Sequence, residues 1–151
     1  MIQTSAITLI NQIITALKAD VALNDYVLAA YGKNFSYFVG IDQANQPESS
    51  SQPFMAFRPG SWSPSDDRTH RVIEIAMALV VSNDETTTTD GVTTLSGLAS
   101  IEALYFAVER ALEVFFGGID YNYTPDYNSM SLDIGMPFFR VTWNISLEGD
   151  Y

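Results

Sequence analysis

The stretch from Ser96 to Phe116, SGLASIEALYFAVERALEVFF, constrains the fold more than any other part of the chain. Leu98, Ile101, Leu104, Tyr105, Val108, Ala111, Leu112 and Phe115 recur at steps of three and four, which lines them along one side of an α-helix. A stripe of that width needs a sheet to cover. Ser96 or Gly97 is the expected N-cap, Glu102 brings negative charge towards the positive end of the helix dipole, and Gly117-Gly118 is the expected stop. Ala103, Phe106, Ala107 and Val114 point away from the stripe and would meet water in a single copy. They are the first candidates for a subunit contact.

The sheet that the helix requires is visible in two alternating runs. In RVIEIAMALVVS (Arg71 to Ser82) the odd positions Ile73, Ile75, Met77, Leu79 and Val81 give a core face. Its even positions, Ala76 and Ala78 among them, give a face of small residues that something other than water can cover, so these two alanines join the interface candidates. In the last strand Phe139, Val141, Trp143, Ile145 and Leu147 alternate with Arg140, Thr142, Asn144, Ser146 and Glu148, one face buried and one wet.

The remaining elements are weaker. Thr4 or Ser5 opens a first helix with Ile7, Leu9, Ile10, Ile13, Ile14, Leu17 and Val21 on one side, and a short helical segment near Leu23 to Ala30 is expected to end at Gly32. FSYFVGID alternates through Phe35, Tyr37, Val39 and Ile41 as a strand does, and PFMAFR is a short strand stopped by Pro59-Gly60. Further strand pattern surrounds Tyr121 and Tyr123, then Leu132, Ile134 and Met136. The segments Gln43–Gln52, Gly60–His70 and Asn83–Thr94 are polar and read as mobile loops that carry partner contacts. Trp62, Asp66, Asp67, Asp84 and Glu85 are the contact candidates within them. The expected fold is α+β: one domain over residues 1–151, with an antiparallel sheet of about four to five strands and two main helices packed on one face.

Composition narrows the function. A chain of 151 residues that is 47% hydrophobic buries a core without staples, and it has no cysteine for a disulfide or a thiolate metal site. Seven basic against eighteen acidic residues give a net charge of −11, which opposes binding to phosphate backbones. Neither a signal peptide nor a membrane-spanning run is present, so the chain reads as soluble and unprocessed, with no membrane partner. The single histidine, His70, stands beside Arg68 and Arg71; a catalytic base there would need an orienting acid and a nucleophile, and as a metal ligand it has no cysteine or second histidine to join, so it reads as a strand-end histidine. Glu102, Glu109 and Glu113 share a helical side with Arg110 and read as a solvated flank, and NDETTTTDG lacks the acidic spacing of a calcium loop. No phosphate loop, nucleophile elbow or HExxH motif occurs. The expectation is a non-enzyme without metal or cofactor.

The order of these segments resembles the tail terminator, or tail-completion, proteins of tailed bacteriophages. The residues that carry the resemblance are FVGID, PFMAFRPG, the hydrophobic central strand, GLASIEALYFAVERALE and the terminal FFRVTWNISLEG. The resemblance implies a homo-oligomeric ring, usually of six copies, in the neck of the virion after assembly in the host cytoplasm. Such a ring would sit on the tail tube, stop its growth, meet the head connector, and leave a hole through which genomic DNA passes without specific binding. The sheath is a further candidate partner. Two alternatives stand beside it: a head-side connector or stopper, and a small-molecule-binding or catalytic α+β domain that uses the open face of the sheet.

Overall fold

The two strongest alternations in the sequence lie side by side in the middle of one sheet. The computed structural model describes residues 5–40, 52–64, 70–119 and 122–150. The chain runs α1 (Ala6–Ala19), α2 (Val21–Tyr31), β1 (Ser36–Val39), β2 (Phe54–Pro64), β3 (His70–Ser82), β4 (Thr86–Thr89), β5 (Val92–Leu95), α3 (Ser96–Phe116), β6 (Asn122–Gly135) and β7 (Phe138–Asp150). Five strands form one sheet in the order β1-β2-β3-β7-β6, and β4 with β5 forms a separate two-stranded sheet. There are thus more strands than the four to five expected. The large sheet is mostly antiparallel, with β1 paired parallel to β2 at one edge.

Alternation decides which side of each strand is buried. Ile73, Ile75, Met77, Leu79 and Val81 of β3, with Phe139, Val141, Trp143, Ile145 and Leu147 of β7, share one core with the buried stripes of α1, α2 and α3. Trp143 lies edge-on to Tyr105 of α3, ring centres 5.1 Å apart, so the helix and the centre of the sheet are keyed together. Gly97 is buried at the helix start because a Cβ there would run into the Phe139 ring.

The helix ends depart from expectation in instructive ways. Leu95 is the N-cap of α3 and makes no side-chain bond; Ser96 is already helical, and its N–H donates to the Glu85 carbonyl at 3.0 Å. The residue just before β4 thus satisfies the first free N–H of the helix, and no side chain caps the next ones. Glu102 falls beyond the first turn, where the dipole field has faded. At the other end Phe116 is buried where Phe115 was expected, and Phe115 is only half-buried. In α1, Ser5 caps as expected by accepting from the Thr8 N–H, but Ile7 is exposed, and Val21 opens α2 with its side chain in water. The chain bends by 70° between these helices. Asp20 organises the bend: its carboxylate accepts from the Leu23 N–H at 2.8 Å and from Arg110 of α3 at 2.6 Å.

Two of the three segments read as loops are partly strand. β2 continues through Pro59-Gly60 to Pro64, with a register shift between Pro59 and Trp62. β1 covers β2 only as far as Phe57, so among the described residues β2 is an edge beyond it, the setting in which proline survives in a sheet. Asn83–Thr94 is largely the β4–β5 hairpin, turned at Asp90 and Gly91 with φ of 52° and 76°. Two consecutive positive φ values are what a tight hairpin turn demands, and Asp-Gly supplies them. Of the Gln43–Gln52 segment only Gln52 lies within the described residues, and it is buried rather than exposed.

Beside β1, Tyr37 packs on the core and Lys18 Nζ lies 5.8 Å from its ring centre. Burial, reinforced by the nearby Asp20 charge, pushes the Tyr37 hydroxyl up to about 12. The Tyr31 hydroxyl is also raised by burial, although its 2.6 Å bond to Ser100 of α3 opposes the shift. Among the described residues no single helix is long and apolar enough to cross a membrane.

Candidate functional site

The helices cover one face of the sheet and leave the other open. Even-numbered positions of β2, β3 and β7 point to this open face, and the strand registers arrange them in cross-strand rows. One row runs Phe38, Ala56, Ala78, Thr142, Ser131; the next runs Phe54, Val80, Arg140, Asp133; a third runs Arg58, Ala76, Asn144, Asp126. Ala56, Ala78 and Thr142 in the first row and Ala76 in the third keep the centre low, while Phe54, Arg140 and Arg58 stand taller around them. The result is a trough of about 980 Å³, floored by Ala56, Ala76, Ala78 and Thr142 and walled by Phe54, Phe138, Arg58 and Arg140. Near β1 the floor closes into a small apolar cluster, in which Phe38 meets Phe54 edge-on at 5.4 Å.

The far wall depends on an irregularity in β6. Its pairing with β7 is interrupted between Asp126 and Ser131. There the Ser129 hydroxyl accepts from the Asn144 N–H at 3.0 Å and donates to the Asp126 carbonyl at 2.8 Å. A side chain thus takes over one ladder acceptor, satisfying a backbone donor that the bulge would orphan. A second hollow of about 510 Å³ follows along the same face, between Glu74, Thr124, Asp126 and Ser146.

The polar groups of the trough are unevenly satisfied. Arg140 is paired with Asp133 at 2.8 Å, both side chains about half exposed. Arg58 is exposed and has no ion pair or hydrogen bond among the described residues. Gln52 lines the trough, is 5% exposed, and its Oε1 has no hydrogen-bond partner among the described residues. The trough thus holds an acceptor and a cation that nothing else described in the chain satisfies.

On the opposite side of the molecule lies the outer side of α3. Phe106 is 58% and Val114 64% exposed, and Ala103 is exposed with them. Glu102 is one turn before Phe106 and Glu113 two turns after it, both exposed and without a partner among the described residues. Ala107 does not belong to this surface, because it is half-buried and packs against the core. Arg110 is drawn aside to Asp20.

The sequence candidates therefore divide. Ala76 and Ala78 come together in the trough; Ala103, Phe106 and Val114 come together on α3. Asp84 and Glu85 are exposed at the base of the β4–β5 hairpin, where the Asn83 side chain accepts from the Glu85 N–H at 2.9 Å. Trp62 stands in β2 opposite Ile73 rather than in a loop, and Asp66 and Asp67 lie outside the described residues. Sequence reasoning missed Arg58 and Gln52. Arg58 was legible as the next outward position after Ala56, whereas Gln52 carried no pattern.

Among the described residues no group of three or more His, Asp or Glu side chains gathers to hold a metal ion. The two tyrosines with raised hydroxyls sit on the helix side, and the shift takes them further from the range useful at neutral pH. Comparison with protein-family models and with curated proteins finds no match.

Proposed function

We propose that this chain is a structural protein that assembles into a homo-oligomeric ring, of six copies by the resemblance, which caps a bacteriophage tail tube. In this reading the ring ends tube elongation, joins the tail to the head connector in the virion neck, and leaves a channel for DNA. One observation carries the reading: a single copy keeps apolar surface in water on two opposite sides, the Phe106 side of α3 and the Ala76/Ala78 trough. The two main helices on one face of a mainly antiparallel sheet are the arrangement expected for it. The net charge of −11 suits a channel through which DNA slides without sticking.

The trough by itself favours a second reading, a domain that binds a small molecule on the open face. Light scattering and negative-stain imaging, on the protein alone and mixed with tail tubes, separate the two. Rings seated on tube ends are the expected result. A monomer in concentrated solution that leaves tube ends bare would overturn the ring.

A further inference from the structure

We infer that the two unfinished surfaces meet each other. The outer side of α3 in one copy, centred on Phe106, seats in the trough of the next copy, where Glu102 and Glu113 face Arg58. The inference rests on the self-assembly reading above and adds which faces touch, in which direction, and through which charges.

Charge favours the mixed contact. The α3 surface offers Glu102 and Glu113, and the trough offers Arg58, all three without partners among the described residues, so a contact between unlike faces is the one that pairs them with each other. Two α3 surfaces together would bring carboxylates to carboxylates. The mixed contact also brings a projecting aromatic ring to a floor of alanines, which leaves depth for it.

The direction follows from the layers. α3 packs on the helix-bearing face of the sheet and the trough is the other face, so the two surfaces look away from each other within one copy. A contact between them is head-to-tail. It leaves one free surface of each kind at the ends of any open chain of subunits, and closes only as a ring.

Two variants test this: Phe106→Asp, which spoils the α3 side and keeps the trough, and Arg58→Glu, which does the reverse. Circular dichroism should show both folded, since each side chain is exposed. Each should lose association by roughly 30-fold or more, the factor that corresponds to a hot spot of about 2 kcal/mol. Mixed in equal amounts they should form dimers and nothing larger, because one intact pair of surfaces remains per mixture. Adding Glu102→Arg and Glu113→Arg to Arg58→Glu should restore the full oligomer. Arg58→Ala serves as the trough variant if the reversal disturbs the fold. A wild-type protein that is monomeric throughout would overturn the ring reading itself. A wild-type oligomer that survives both variants, or monomeric variants that fail to pair on mixing, would overturn the head-to-tail contact and leave the ring reading standing.

Discussion

The two faces of the central sheet are built from the same strands and behave as different materials. On the helix side, Ile73, Ile75, Leu79, Phe139, Ile145 and Leu147 are fully enclosed. On the open side, one residue along each strand, Ala76, Ala78, Thr142 and Asn144 are half-buried. A one-residue step along β3 or β7 therefore moves from a site where volume is fixed by close packing to one where the side chain is only half covered. Most large apolar side chains of these two strands lie where the fold depends on them, and alanines and polar residues occupy the centre of the open face.

The sharpest way to break this comparison is at the largest aromatic on the enclosed side. Trp143→Ala should destabilise the protein by about 3–5 kcal/mol, through lost burial and the cavity left against Tyr105. An unchanged unfolding midpoint in denaturant would show that the helix side is not the core.

A smaller effect is expected from overfilling the same side. Gly97→Ala forces the Phe139 ring to move and should cost about 1–3 kcal/mol, read as a lower midpoint with an unchanged denaturant slope. A neutral result would mean that the start of α3 is loosely seated.

The smallest effect belongs to the open face. Ala78→Ser adds a hydroxyl in the trough and should change stability by less than about 0.5 kcal/mol, as surface substitutions do. A loss comparable to that at Gly97 would show that the open face is part of the fold's own core, and the comparison would fail.

What the sequence disclosed follows the same division. β3, β7 and α3 were legible because one side of each is wholly buried, and burial writes a period into the residues. The β4–β5 hairpin was missed because it buries almost nothing: Thr86–Thr89 and Val92–Thr94 are all exposed, so no apolar alternation exists to be read. Its signal lay in the turn, Asp90-Gly91 between β-branched residues, and in the Thr88 and Thr93 hydroxyls that meet at 3.0 Å across the pair. β2 was cut short at Pro59-Gly60 because proline breaks most strands, and only the tertiary pairing reveals that β2 is an edge there. Leu132 and Ile134 alternate as a buried strand would, yet they are about half exposed, because β6 has no strand beyond it. The trough's small floor was visible in Ala76 and Ala78. Of its charged wall, Arg58 was legible as an outward position but not as a site, since an arginine that closes an apolar run looks like any solvated cation until its neighbours are known.

The strand order carries a consequence for how the chain finds its structure. β2 with β3, and β6 with β7, pair neighbours in sequence, so each pair can close over a short connection. The ladder between β3 and β7 joins Ser82 to Phe138 and His70 to Asp150, with the hairpin and all of α3 strung between them. That seam is the costliest loop to close and the most rewarding contact once closed, because it brings the two most apolar strands together beneath the helix. Docking of the two strand pairs is therefore the step expected to limit folding, and α3, threaded from one pair to the other and packed on both β3 and β7, is the element expected to be in place when they meet.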